Sequence, residues 1–193
     1  LQLSGSLATF LLGSLTFGIG GFKYSVPLLT FFVLASLLSK LNRRMESSDQ
    51  ATAEKGSRRD AAQVLANGLL PSMVVILSVI WDFRGVYALY LGAVAAVASD
   101  TWATETGTFF KGSTRSILTL KPVQRGISGG ISVAGSIGSI VGGGTVLLSG
   151  LPWWGIDEAG NFLAGILVLL AAVLAQFGDS VVGATLQLSL IHI

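Results

Sequence analysis

The fold of this chain is decided by an apolar run that passes directly into a polar segment, Ser99-Asp100-Thr101-Trp102-Ala103-Thr104-Glu105-Thr106-Gly107. The apolar run covers roughly residues 86–98 and is typical of a membrane helix. The polar segment therefore brings two carboxylates and three threonine hydroxyls to the edge of a membrane. Because an ionisable side chain at that depth is energetically costly, it indicates a functional site.

The composition points to a membrane protein and excludes several kinds of chemistry. Of the 193 residues, 51% are hydrophobic and 11% are charged, and the mean hydropathy is +0.73. Soluble domains carry about 25% charged residues, so we predict a polytopic membrane protein. Cysteine is absent and His192 is the one histidine, which leaves carboxylates, hydroxyls, Lys and Arg to carry any chemistry. A net charge of +2 is too small to indicate nucleic acid as a partner.

The apolar pattern predicts an all-α bundle of about six membrane spans in a single domain, residues 1–188. The spans are expected at about 1–20, 26–38, 61–81, 86–98, 126–149 and 162–177. The chain does not begin with Met, so we expect it to be a fragment of a longer protein. Residues 189–193 resemble a translated sequencing adapter, and we expect a non-native tail there.

Lys and Arg are concentrated in two loops, about 40–62 and 106–126, which alternation of the spans places on one side. The positive-inside rule makes that side cytoplasmic. The polar ends of four helices then face the same side and can form one cluster.

The residues expected in this cluster have complementary chemistry. Carboxylates suit Mg²⁺, which prefers oxygen ligands and phosphate, and we assign Asp100, Glu105 and Asp179 as metal ligands and catalytic residues. Basic side chains and a glycine-rich segment that opens a helix suit nucleotide phosphates; these are Lys121, Arg125, Ser128, Gly129 and Gly130. A further polar set would contact substrate: Arg59, Gln63, Asn67, Thr101, Ser180 and Gln187.

Each motif also has a purely structural interpretation. Gln63 and Asn67 could join helices through hydrogen bonds, and Lys121 and Arg125 could serve only to orient the protein. The glycines also form small-residue stripes that let helices pack closely. The two stripes are Gly130, Ala134, Gly138, Gly142 and Gly135, Ser139, Gly143.

Five stretches, in order, resemble the integral-membrane family of transmembrane protein 19 and plant phytyl-phosphate kinase. They lie at residues 31–41, 59–68, 100–107, 126–132 and 179–187, so the resemblance covers nearly the whole chain. It implies a membrane-embedded, Mg²⁺-dependent kinase that uses CTP or another nucleoside triphosphate. The implied substrate is a membrane lipid, an isoprenoid (phytyl or prenyl) monophosphate that becomes the diphosphate.

Two other classes of function are also compatible with a membrane protein of this composition. A small-solute transporter would place its charged residues near the middle of the membrane, whereas these carboxylates lie near helix ends. A non-catalytic membrane protein would leave the clustered carboxylates unexplained. A structure that separates Asp100 from Asp179 would argue against the kinase.

Overall fold

The computed structural model describes residues 3–46, 61–81, 83, 85–110, 112–154 and 159–187, with the side chains of 43–46, 159–161 and 187 left out. Five helices in these ranges are long and apolar enough to cross a membrane. They are α1 Leu3–Glu46, α2 Ala61–Ile80, α3 Val86–Phe109, α4 Val133–Gly150 and α5 Ala159–Val182. A 3₁₀ turn, Leu151–Trp153, follows α4, and a π-helical turn, Gly183–Gln187, extends α5. The predicted helical membrane architecture is confirmed.

Helix α1 consists of two segments that meet at Gly21, where φ is 59° and ψ is −154°. The second segment lies beside α3, as shown by the hydrogen bond that the Tyr90 hydroxyl donates to the Tyr24 carbonyl. The first segment lies beside α2, where Leu12 contacts Gly68. Tyr24 lies at the end of the bundle where α2 ends and α3 begins, and Gly68 lies about 18 Å from that end, inside the bundle, at 1.5 Å per residue. If α1 were straight, Leu12 would lie about 18 Å outside the same end. Because Leu12 contacts Gly68 instead, the chain reverses at Gly21 and α1 supplies two spans.

Helix α3 is the central helix of the bundle. Its residues Tyr90, Leu91, Val94 and Ala95 are at most 1% exposed, so neighbouring helices surround this part of it. The buried core around them draws on α1, α2, α4 and α5 through Phe31, Ala35, Val74, Val75, Val146, Leu147 and Ala172. Because α3 is enclosed, the polar residues at its far end are held in a fixed position by the other helices.

Glycines let α4 approach α3 backbone to backbone. A Cβ on Gly138 would lie 2.8 Å from the Trp102 carbonyl oxygen, and one on Gly142 would lie 2.8 Å from that of Ala98. These separations are shorter than van der Waals contact, so a side chain is not accommodated at either position. Both glycine stripes of the sequence thus include residues packed on α3.

The segment between α3 and α4 is not the plain loop that the sequence pattern predicted. It forms a three-stranded antiparallel sheet in the order β2-β1-β3, with β1 Thr114–Ser116, β2 Pro122–Val123 and β3 Gly130–Ile131. The prediction missed it because the strands are only two or three residues long. The sheet links the end of one membrane span to the start of the next.

Two helix boundaries also differ from the prediction. Helix α3 continues to Phe109, so the polar segment 99–107 is entirely helical and belongs to the span. Helix α4 begins at Val133 and not at Gly126. The backbone explains the later start, because Gly126 and Gly129 have φ values of 79° and 76°, which a right-handed helix does not allow.

Candidate functional site

A polar cavity of about 170 Å³ lies at the end of the bundle where α3 ends and α4 begins. Four parts of the chain form its walls, namely α3, the sheet with its β2–β3 loop, the first turn of α4 and the last turns of α5. The lining residues are Asp100, Ala103, Thr104, Gly107, Thr108, Thr114, Gly126, Ile127, Ser128, Gly129, Gly130, Ile131, Ser132, Gly135, Ser136, Gln176, Phe177, Asp179 and Ser180. Most of them are small or polar.

One face of α3 provides the first wall. Asp100, Thr104 and Thr108 follow one another at intervals of four residues, and Ala103 and Gly107 lie between them on the same face. Residues spaced by three and four share a helix face, so the spacing brings one carboxylate and two hydroxyls into the cavity. The small residues between them leave room for a bound group.

The last turns of α5 provide the opposite wall. Asp179 is exposed, Ser180 is half-buried and Gln176 is only 6% exposed. The Gln176 side-chain amide donates to the Ser180 hydroxyl over 3.1 Å. Its other atom, assigned as Oε1, has no hydrogen-bond partner among the described residues. A buried polar atom without a partner is costly, and this one belongs to a residue that lines the cavity.

Asp100 and Asp179 line the same cavity from two different helices, α3 and α5. The two residues are 79 positions apart in sequence, but their spans run in the same direction across the membrane. The juxtaposition that the sequence predicted is present. Two neighbouring carboxylates repel each other, and a cation between them would relieve that repulsion.

The glycine segment Ser128-Gly129-Gly130 lines the cavity and also packs against the end of α5. A Cβ on Gly129 would lie 2.3 Å from the Ala184 Cβ, and one on Gly183 would lie 2.3 Å from the Ser128 hydroxyl. The Gly130 N–H donates to the Ile127 carbonyl over 3.0 Å, which closes a turn. The segment therefore packs against the end of α5 and also forms part of the cavity wall.

Helix α4 opens towards the cavity with Ser132 as its N-cap. The Ser132 hydroxyl accepts from the Gly135 N–H over 3.1 Å, and the first helical bond runs from the Ser136 N–H to the Ser132 carbonyl. The N–H groups of Val133 and Ala134 precede that bond and have no intrahelical acceptor. The helix dipole makes this end favourable for an anion.

Glu105 does not join the other two carboxylates. The Ser39 hydroxyl donates to Glu105 Oε1, and the Asn42 amide donates to Glu105 Oε2 over 2.9 Å. The same Asn42 amide is 2.9 Å from the Thr108 hydroxyl. Five residues after Asp100, Glu105 is turned about 140° around the helix, so it joins α3 to α1. Among the described residues no group of three acidic or histidine side chains could share a metal ion, and the three-carboxylate arrangement is not formed.

The other predicted residues divide into three groups. Ser128, Gly129, Gly130 and Ser180 line the cavity together with the two aspartates, whereas Gln63, Asn67, Thr101, Lys121 and Arg125 do not. Arg125 is exposed and directly precedes the lining residue Gly126, and Lys121 is exposed at the turn between β1 and β2. Arg59 and the side chain of Gln187 lie outside the described residues.

Sequence reasoning missed several residues of the site. Thr104 and Thr108 could have been found from their spacing to Asp100. Gln176 carried a signal as well, because it is an amide inside an apolar span and lies one helical turn before Asp179. Ser39 and Asn42, which hold Glu105, gave no pattern that connects them to α3.

The fold and the cavity define a polytopic integral membrane protein with a polar cavity at one end of its helix bundle. The chain belongs to the family described as Integral membrane protein DUF92, whose model matches residues 1–192. It is 31% identical to "Protein PGR" of Arabidopsis thaliana, over 98% of this chain and 73% of the relative. It is 30% identical to "Uncharacterized membrane protein MJ0933" of Methanocaldococcus jannaschii, over 97% of this chain and 75% of the relative.

A further relative is "Protein VTE6, chloroplastic" of Arabidopsis thaliana, which is 24% identical over 97% of this chain and 56% of the relative. These matches confirm the family resemblance that the sequence motifs carried. No solved structure matches the chain.

Proposed function

We propose that this protein is a membrane-embedded kinase that transfers a phosphoryl group from CTP, or another nucleoside triphosphate, to an isoprenoid monophosphate. The observation that carries the proposal is the shared cavity of Asp100 and Asp179, which also holds a glycine turn and a helix N-terminus. These are the parts that phosphoryl transfer requires, because positioning and charge neutralisation supply most of the catalysis. The family resemblance supports the substrate class.

The two aspartates would hold Mg²⁺. They carry oxygen ligands on separate helices, and both line the cavity. Mg²⁺ is commonly bound through one or two carboxylates together with phosphate oxygens and water, so two carboxylates suffice. The ion supplies charge neutralisation for the nucleotide phosphates. Glu105 is assigned a positioning role instead, because Ser39 and Asn42 occupy both of its oxygens.

The β2–β3 loop and the start of α4 would bind phosphate oxygens. The dipole of the 18-residue helix α4 favours an anion at its first turn, where Ser132, Gly135 and Ser136 line the cavity. The hydroxyls of Ser128 and Ser136 line the same wall.

The isoprenoid tail would leave the cavity on its apolar side. Ile127 and Phe177 are the large apolar residues of the lining together with Ile131. Beyond Phe177, α5 exposes Leu174, Val181 and Val182 on its surface, which is typical of contact with lipid. The substrate's phosphate would thus remain at the polar wall while its tail stays in the membrane, and the loops with Lys and Arg would face the cytoplasm.

In the transfer step, a phosphate oxygen of the lipid forms a bond to the terminal phosphorus of the nucleotide. The bond from that phosphorus to the bridging β-phosphate oxygen breaks, and the nucleoside diphosphate leaves. The cavity residues bind and orient both phosphates, and their hydroxyls and N–H groups hold the oxygens on which charge accumulates.

The direct test incubates the purified protein with Mg²⁺, radiolabelled CTP or ATP, and isoprenoid monophosphates of different length. We expect a labelled diphosphate lipid, and a loss of about 10²-fold or more in rate for Asp100→Asn and for Asp179→Asn. Glu105→Gln is the matched control, because it removes a carboxylate of the same helix outside the cavity. No labelled lipid with any substrate, or full activity of both Asn variants, would contradict the proposal.

A further inference from the structure

The turn between β1 and β2 exposes apolar and basic side chains together. Leu118 and Leu120 are 51% and 59% exposed, and Arg115 and Lys121 flank them and are also exposed. A solvated turn of this size normally carries polar residues, so two exposed leucines among its five residues indicate another environment. We define residues 117–121 as the hairpin turn.

The hairpin turn has a fixed conformation. The Leu120 N–H donates to the Ser116 carbonyl over 2.8 Å, and the Arg115 guanidinium donates to the Leu120 carbonyl over 3.0 Å. Leu120 has a φ of 56°, which is uncommon for a residue with a side chain. The hydrogen bonds therefore hold an apolar residue at a position that glycine or asparagine would fill more easily.

The charge of the surrounding segment has one sign. Between Thr106 and Ile156 the sequence contains no Asp or Glu, but it contains Lys111, Arg115, Lys121 and Arg125. No acidic residue of this segment can neutralise these cations. Such a segment is complementary to an anionic lipid surface.

The sheet is tied to the membrane at both ends. Helix α3 ends at Phe109, five residues before β1, and Ile131 of β3 is two residues before α4. Arg115 pairs with Ile131, so the root of the hairpin lies beside the start of a span. At about 3.3 Å per residue, the hairpin turn lies no more than roughly 17 Å from that root, within reach of the lipid headgroups.

We propose that the hairpin turn inserts Leu118 and Leu120 into the headgroup layer of the leaflet on the cavity side, and that Lys121 and Arg125 bind the phosphates of anionic lipids. The occupant of this surface is the protein's own bilayer. The proposal does not depend on the kinase activity. It also accounts for the position of Lys121, which is basic and exposed but does not line the cavity.

The absence of native cysteine allows the test by single spin labels. Leu118→Cys and Leu120→Cys are labelled and reconstituted in nanodiscs of phosphatidylcholine, with or without phosphatidylglycerol. Accessibility to oxygen and to a water-soluble nickel chelate is then measured by electron paramagnetic resonance. Ile137→Cys, exposed on α4, is the lipid-facing reference, and Ser113→Cys, an exposed polar site before β1, is the water-facing reference.

In anionic nanodiscs we expect the labels at 118 and 120 to be more accessible to oxygen than to the nickel chelate, as the label at 137 is. The label at 113 should be more accessible to the nickel chelate. Removing phosphatidylglycerol, or adding Lys121→Gln with Arg125→Gln, should shift labels 118 and 120 towards nickel. Labels at 118 and 120 that behave like the label at 113 would overturn the insertion. Equal depth in neutral and anionic lipid, unchanged by the double substitution, would overturn the lipid-phosphate contact.

Discussion

At the scale of single residues, Asp100 and Glu105 of α3 have different contacts because they lie on different faces of the helix. Asp100 faces the cavity and Asp179, whereas Glu105 faces α1 and accepts hydrogen bonds from Ser39 and Asn42. Asn42 is 7% exposed and also contacts Thr108, a residue of the cavity wall. Glu105 therefore positions the wall without contacting what binds there.

This assignment predicts that two substitutions of Glu105 differ in their effect on the stability of the protein. Glu105→Ala leaves the buried Asn42 amide without its carboxylate acceptor, which should cost about 1–3 kcal/mol of stability. Glu105→Gln keeps an acceptor oxygen and a polar partner for Ser39, so it should remain close to the native protein. Thermal unfolding in detergent measures the difference. If the alanine variant melts with the native protein, the hydrogen bonds to Ser39 and Asn42 do not stabilise the bundle.

At the scale of elements, the contact between α3 and α4 depends on the absence of side chains. Gly138 and Gly142 face the α3 backbone, and the buried Ser99 hydroxyl donates to the Ser139 carbonyl over 3.0 Å. Small residues of this kind let membrane helices pack closely. The close contact fixes α4, and with it the N-terminus that faces the cavity.

A pair of matched glycine substitutions tests this contact. A Cβ at Gly138 would lie 2.0 Å from the Thr106 hydroxyl, whereas a Cβ at Gly144 on the same helix has no atom within 4 Å. Gly138→Ala should destabilise the protein by about 1–3 kcal/mol through overpacking. Gly144→Ala should be neutral or stabilise by up to about 1 kcal/mol. Equal melting temperatures for the two variants would show that α3 and α4 are not in close contact.

The apolar pattern of the sequence predicted the long membrane helices but did not predict the short strands. Spans of 18 residues or more have a clear apolar signal, and the reversal at Gly21 falls between the first two predicted spans, 1–20 and 26–38. The sheet was missed because its longest strand has three residues, too few for an alternating pattern. The start of α4 was placed early because Gly126 and Gly129 were read as helical, although their positive φ excludes it.

At the scale of the whole molecule, the alternating direction of the spans brings the polar ends of α3 and α5 to one side with the sheet and the start of α4. Topology could be deduced from the sequence, and it correctly placed Asp100 beside Asp179. The details of the site could not, because they depend on which face of each helix turns inward. That rotation is set by packing between elements, as with Gly129 against Ala184.

The continuity of α3 argues for a kinase over a transporter of the broken-helix type. Such a transporter binds its solute where membrane helices are interrupted. Asp100 lies within α3, which shows no proline and no break along its 24 residues.

Binding of a divalent cation with a nucleotide by Asp100 and Asp179 together is the property on which the proposed function depends. Mn²⁺ in place of Mg²⁺ allows its binding to be measured by electron paramagnetic resonance, with the protein in nanodiscs and CTP present. We predict binding by the native protein and by Glu105→Gln, and affinity lowered at least about tenfold in Asp100→Asn and in Asp179→Asn. Unchanged Mn²⁺ affinity in both Asn variants would contradict the account.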